Sequence, residues 1–224
     1  MTKRVDRRGV REGYDLWSQT YVVSSNPLVS LDRRVTLPLL DPKLDECVLD
    51  AACGTGRHLR AIAEAGGRPI GLDFSLAMLR VARQRVPRVP LVYADLGDDL
   101  PFLTEEFDAI LCALVGEHLR NLPVCFRSAF AALKPEGRLV FSVFHPAMVE
   151  MGIEANFELR GVEYRLGAQQ HTVDDYLNAA GDAGFRRVLS REFCGDAQLV
   201  QDVPWAVKYL GRPLLLVVQA WREP

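Results

Sequence analysis

The 224-residue sequence predicts one α/β domain, a doubly wound and mostly parallel sheet with helices on both faces. Three observations predict it. Short apolar runs alternate with helical patterns from residue 47 onward. Those runs are continuous rather than alternating in hydrophobicity, as expected of strands buried on both sides. Three of them end in an aspartate, at the edge where ligands bind in open α/β sheets.

Taken in order, Lys3, Arg4, Arg7, Arg8 and Arg11 form a basic cluster that reads as a solvated, fraying terminus. Within residues 14–40, Tyr14, Trp17 and Tyr21 stand at helical spacing and predict helices laid over the sheet edge. That trio suits either plain packing or a lid. "CVLDAA" is the first strand, and Leu59, Ile62 and Ala63 share one face of the helix behind it, stopped by Gly66 and Gly67. "RPIGLD" follows. Ser75 then caps a helix that turns Leu76, Leu79 and Ala82 inward and ends before Pro87. "PLVYAD" and "FDAILCALV" are the next strands. Leu122, Phe126, Phe130 and Leu133 stripe a third helix closed by "KPEG", and "RLVFSVF" is a fifth strand.

Residues 148–171 carry no clean helical period, and "FELRGVEYRL" reads as an inserted hairpin. "HTVDDYLNAAGDAGF" is a helix opened by a Thr172/Asp175 capping pair and ended near Gly184. Two strands, "RRVLSREF" and "PLLLVVQAW", close the chain around a loop holding Pro204 and Trp205.

Composition narrows the function. A 49% hydrophobic, 25% charged chain has ample material for a core, and a net charge of −2 argues against a nucleic-acid footprint. No apolar stretch is long enough to span a membrane, and the charged start lacks a signal-peptide core. The five cysteines, an odd number in mostly apolar runs, predict reduced thiols and a cytoplasmic protein. Their spacing offers no metal-ligand pair, so no metal is expected.

The stretch "LDAACGTGRHL" holds the chemistry. Gly54 and Gly56 let a ligand lie against the backbone, and the helix beginning near Arg57 offers its first amides. Asp50, Asp73 and Asp95 close three strands and suit a ligand with donors spread along its length. Asp73 is placed for ribose hydroxyls. A dinucleotide fingerprint requires a third glycine, but Leu59 stands there, and Asp50 would repel a pyrophosphate. The loop also lacks the G-x-x-x-x-G-K-[ST] triphosphate cradle.

In this order, "VLDAACGTGRH", "GLDFSLAMLRVAR", "YADLGD", "FDAILCALVGEHL" and "LKPEGRLVFSVFHP" resemble the successive motifs of class I S-adenosylmethionine-dependent methyltransferases. The resemblance is strong over residues 46–145 and looser to the C-terminus. It implies a Rossmann-like sheet of seven strands with the last one antiparallel. It also implies that Ala52, Gly54 and Gly56 admit the methionine half of the cofactor. Asp50 would help hold its amino end, Asp73 the ribose, and Phe74 would flank the adenine. Asp95 would accept from the adenine amino group beside Leu96, while Cys112 and Ala113 would offer carbonyls near the methionyl ammonium. Cys53 reads as packing. The chain then divides into a helical cap (about 1–45), a cofactor-binding core (46–147), a substrate cover (148–171) and a C-terminal helix and strand pair (172–224).

Methyl transfer needs alignment and, for some acceptors, a base. His145, fixed by Pro146, is the favoured base. His118 is balanced between a structural hydrogen bond and a substrate contact, Glu117 is an alternative base, and His58 reads as solvent-facing or cofactor-adjacent. Tyr14, Trp17 and Tyr21, with Phe157 and Tyr164, would cover a small-molecule acceptor. Arg160 and Arg165 suit an acidic substrate or plain solvation. The competing readings are a nicotinamide-dependent oxidoreductase, a cofactor-binding module without turnover and, more weakly, a nucleic-acid methylating enzyme, whose Asn/Asp-Pro-Pro-aromatic signature is missing after the fourth strand. The oligomeric state is not legible.

Overall fold

The computed structural model describes residues 4–224. Its main sheet contains β2 (Cys47–Ala51), β3 (Arg68–Asp73), β4 (Leu91–Tyr93), β5 (Phe107–Ala113), β6 (Leu133–Phe144), β9 (Arg187–Cys194) and β10 (Pro213–Trp221). The spatial order is β4-β3-β2-β5-β6-β10-β9, and β10 alone runs antiparallel to its neighbours. The chain reverses direction between β3 and β5 on either side of β2, which opens a crevice beyond their carboxyl ends. The expected seven-stranded, mostly parallel sheet is therefore present.

One face carries α2 (Pro27–Leu40), α3 (Arg57–Glu64) and α4 (Leu76–Arg85); the other carries α5 (Leu122–Ala132) and α7 (Val173–Ala183). Each start has a local cause. Asn26 and Ser75 accept backbone N–H bonds at the first turns of α2 and α4. Thr172 and Asp175 form the reciprocal box that opens α7, and Gly184, at φ 113°, ends it.

A second, three-stranded sheet stands outside the main one. In it β8 (Val162–Arg165) pairs antiparallel with β7 (Asn156–Leu159) and parallel with β1 (Arg4–Arg7). The inserted hairpin is as expected, but the basic terminus does not fray: Arg4 and Arg7 lie in β1, because β8 presents a free edge to it. Lys3 lies outside the described residues. Arg8 bonds Asp6 and Glu12, and α1 (Val10–Trp17) follows directly.

Other local expectations shift. α2 packs on the sheet face, with Leu31 and Leu40 against Val48, Val140 and Val217, rather than over its edge. Leu133 and "KPEG" belong to β6, whose pairing with β5 is irregular there. Pro146–Glu150 forms the short helix α6, and the Pro204 loop is preceded by α8 (Ala197–Asp202). Among the described residues no helix is long and apolar enough to cross a membrane. All five cysteines are free; Cys53, Cys112 and Cys125 are buried and Cys194 is exposed.

Gly71 shows how tightly β3 meets α3, β4 and the loop after β2. A methyl group there would sit 2.7 Å from Leu59, 2.8 Å from Leu91 and 2.9 Å from the Cys53 sulfur. Gly71→Ala is expected to destabilise the protein by about 1–3 kcal/mol, from overpacking, in urea unfolding.

Candidate active site

Two cavities meet above the carboxyl ends of β2, β3 and β5, and they share Tyr14, Tyr21 and Leu114. The narrower, about 90 Å³, is lined by Ala52, Gly54, Asp73, Phe74, Asp95, Leu96, Ala113 and His118, together with Met78, Val115 and Leu119. The wider, about 530 Å³, is bounded by Tyr14, Trp17 and Tyr21 on one side, Phe157 of the hairpin, and Trp205 and Tyr209 of the C-terminal loop.

The narrow cavity is built by sharp turns at two neighbouring strand ends. Ala52 (φ 69°) and Leu114 (φ 55°) both adopt the left-handed region, which costs a non-glycine residue about 1 kcal/mol or more. The turn after β5 is held because the Leu114 N–H donates to the Ser142 carbonyl at 2.9 Å. Past Ala52, Gly54 (φ 53°) has open space where a side chain would be, so a ligand can reach the backbone. Asp73 braces this loop: the Gly54 N–H donates to Oδ2 and the Ser75 N–H to Oδ1, each at 2.8 Å. Burial nevertheless pushes the Asp73 carboxyl up to about 6.

Three expected contributors, Gly56, Cys112 and Asp50, stand behind the loop rather than in the cavity wall. Gly56, at φ 77°, caps α3, and its vacant side is filled by Val86 and Ala82. The Cys112 side chain points into the core beside Cys125, and burial raises its thiol well above the ordinary range. Cys53 is likewise buried with a raised thiol, as packing requires. Asp50 is fully buried, and neither of its oxygens has a partner. Burial holds its carboxyl at about 6.

Beneath the loop lies a buried polar cluster that the sequence did not announce. Asp32 of α2 accepts from Arg57 at 2.7 Å and from Ser142 at 2.6 Å, and faces His58 Nε2 at 3.1 Å. Burial alone would raise its carboxyl, but Arg57 and His58 hold it below the ordinary range. His58 is thus a buried partner of Asp32 and not a solvent-facing residue. Nothing local in the sequence singles out Asp32; only the fold brings α2 over Ser142.

The two histidine candidates separate. His118 lines the narrow cavity, and burial lowers its pKa. Tyr14, whose phenol burial raises well above its usual range, shares a hydrogen bond between its hydroxyl and His118 Nε2 at 3.0 Å. The other ring nitrogen, Nδ1, is buried without a partner among the described residues. His145 stands apart. Its Nδ1 accepts the Ala147 N–H at 3.2 Å to cap α6, its Nε2 faces Glu192 of β9 at 3.4 Å, and it lines neither cavity. The expectation that His145 acts as the base is corrected on this geometry.

Asp95 is already engaged. Its Oδ1 accepts from Gly97 N–H at 2.9 Å and its Oδ2 from Arg11 at 2.8 Å, with the Arg11 guanidinium 5.4 Å above the Phe74 ring. Of the hairpin arginines, Arg165 pairs with Glu163 and Glu154, while Arg160 occupies the turn at φ 52°.

Residues 49–141 match the family model described as a methyltransferase domain. A demethylmenaquinone methyltransferase of Corynebacterium kroppenstedtii is 35% identical over 140 residues, 62% of this chain and 58% of that one. The chain thus spans a little over half that relative's length. The enzyme of the same description from Clavibacter sepedonicus is 31% identical over 180 residues, 67% of this chain and 71% of that one. The chain belongs to the class I S-adenosylmethionine-dependent methyltransferases. The solved structure of an S-adenosylmethionine-dependent methyltransferase from Mesorhizobium loti agrees: TM-score 0.71, 25% identity, 88% of this chain and 99% of that one.

The family's cofactor is S-adenosylmethionine, and the residues present fit it. The orphaned Asp50 carboxylate suits a cationic methionyl centre, and the open face of Gly54 gives the backbone approach that a bound ligand requires. Asp73 retains acceptor capacity at the cavity wall for a diol. The sequence had pointed to these residues, but not to Met78, Val115 and Leu119, whose apolar character gave no signal beyond core packing. Of the Trp205–Tyr209 wall the sequence showed only a loop holding Pro204 and Trp205.

Proposed function

We propose that this methyltransferase moves a methyl group from S-adenosylmethionine to a small organic acceptor held in the wider cavity. The observation that carries the reading is the meeting of the two cavities at Tyr14, Tyr21 and Leu114. When bound, the cofactor supplies an electrophilic methyl group on a good leaving group, so the chain's own work is alignment and exclusion of water.

Asp73 takes the ribose hydroxyls, Phe74 and Leu96 flank the adenine, and Asp95 accepts from its amino group. Asp50 holds the ammonium side, with Ala52, Gly54 and Ala113 around it, Gly56 shaping the loop and the Cys112 carbonyl behind it. Tyr14, Trp17 and Tyr21 cover the acceptor. His118 keeps Tyr14 seated between the cavities and turns its unpartnered Nδ1 to the bound ligands. The free cysteines and net charge of −2 favour a cytoplasmic enzyme with no nucleic-acid substrate. The curated relatives' name makes demethylmenaquinone one acceptor to test.

Calorimetry with S-adenosylmethionine and with NAD tests the cofactor half, and release of S-adenosylhomocysteine with an acceptor panel tests the transfer. Binding of the first ligand alone, with acceptor-dependent release, is the expected result. NAD binding without a response to S-adenosylmethionine overturns it.

Arg11 competes for Asp95 in this reading. The pair is half exposed, so breaking it costs the fold under about 1 kcal/mol. Arg11→Ala is expected to tighten S-adenosylmethionine binding by up to about fivefold, the equivalent of that energy, with the gain shrinking at high salt.

A further inference from the structure

Glu117 follows β5 in a short helical turn, and its side chain is 96% buried, with 4% relative exposure. It lines the wider cavity, and its Oε2 has no hydrogen-bond partner. The Gln169 N–H donates to its backbone carbonyl at 2.7 Å and pins the turn. A buried carboxylate oxygen without a partner is costly unless a ligand satisfies it.

Around it the cavity is aromatic: Tyr14, Trp17, Tyr21, Phe157, Trp205 and Tyr209. Two more carboxylates, Glu154 and Glu158, line the same space; Glu154 is matched by Arg7 and Arg165. Lys208 is the one lysine or arginine in the lining among the described residues. Its ammonium lies 5.0 Å from the Trp205 ring and 4.9 Å from the Tyr209 ring. The cavity wall therefore already receives an ammonium on its ring faces, and it also carries further rings and a buried carboxyl oxygen without a partner. Aromatic faces and a desolvated carboxylate together select for organic cations over neutral molecules of the same shape.

We propose that the acceptor site takes a protonated amine on an apolar or aromatic frame, with Glu117 as its counter-ion. This deepens the methyltransferase reading and rests on it. In the transfer, the ammonium gives one proton to Glu117 and the freed nitrogen lone pair forms the new N–C bond. The C–S bond breaks with its electron pair going to sulfur. The products are an N-methylated ammonium and S-adenosylhomocysteine, and the proton on Glu117 leaves to solvent.

Phenethylamine and phenethyl alcohol share a skeleton and differ in charge. Their binding to the wild-type chain, measured by calorimetry with and without S-adenosylhomocysteine, tests the proposal. The amine is expected to bind at least about tenfold more tightly than the alcohol. Glu117→Gln is expected to remove about tenfold or more of the amine's affinity and leave the alcohol's unchanged. Equal affinities, a preference for the alcohol, no amine binding at millimolar concentration, or amine binding unchanged in Glu117→Gln each overturn it. The wild-type comparison stands even if the variant fails to fold. Failure of S-adenosylmethionine itself to bind overturns the methyltransferase reading instead, and the amine–alcohol comparison without cofactor still decides this one.

Discussion

Asp73→Asn is expected to weaken S-adenosylmethionine binding on the order of a hundredfold, with far-ultraviolet circular dichroism unchanged. Both oxygens of Asp73 accept backbone N–H groups, from Gly54 and Ser75, and in the proposed complex they also accept the ribose hydroxyls. An amide turns one of those acceptors into a donor. One end then opposes either the Gly54 or the Ser75 N–H, and one hydroxyl loses its partner. A hydrogen bond to a charged group contributes about 1.5–3 kcal/mol, so the lost hydroxyl contact by itself reaches the order of a hundredfold. The opposed N–H acts on the free and bound protein alike. Calorimetry decides it: an unchanged Kd would remove Asp73 from the ribose site.

The second large effect is on stability. The folded chain holds Asp50 at about 6, above its ordinary 3.8, because burial penalises the charge. The unfolded chain therefore releases this proton first. Between about pH 4 and 6 the native state binds more protons, so stability falls as pH rises through that window. The deficit is complete above pH 6, and the gap from 3.8 to about 6 corresponds to about 3 kcal/mol. Asparagine imitates the protonated form. Asp50→Asn is expected to stabilise the cofactor-free protein by up to about 3 kcal/mol at pH 7.5 and by almost nothing at pH 4, in urea unfolding.

The same substitution should cost cofactor affinity, because an ionised Asp50 is what a methionyl ammonium would seek. In the wild type, binding should weaken as pH falls below about 6, through Asp50 and Asp73 together. In Asp50→Asn only the Asp73 share of that slope should remain. An Asp50→Asn protein no more stable than wild type at pH 7.5 would show that the buried carboxylate is not the cost its surroundings imply. A gain in stability at a loss in binding is the pattern of a site held under electrostatic strain for its ligand.

Much of this was legible in the chain before folding. Continuous apolar runs and helical stripes are local patterns, and a strand buried on both faces has few other ways to be written. The Gly54 loop and the terminal aspartates were equally readable, because glycine at positive φ and a carboxylate beside a helix start are determined within a few residues. Thr172 and Asp175 declared their capping box by spacing alone.

The tertiary structure decided what depends on residues far apart in sequence. The basic terminus became β1 because β8, some 160 residues later, had an edge to offer. The wider cavity takes walls from residues 14–29, 153–158 and 205–214, which no window of sequence unites. His145 and His118 looked alike as histidines after strands. Glu192 and the Ala147 N–H turned the first into a cap, and Tyr14 drew the second to the cavity. Asp32 was one polar residue of a helix until packing placed Arg57, His58 and Ser142 around it. Periodicity records which face of an element is dry, but a side chain's chemistry depends on the charge and partners that other elements bring to it.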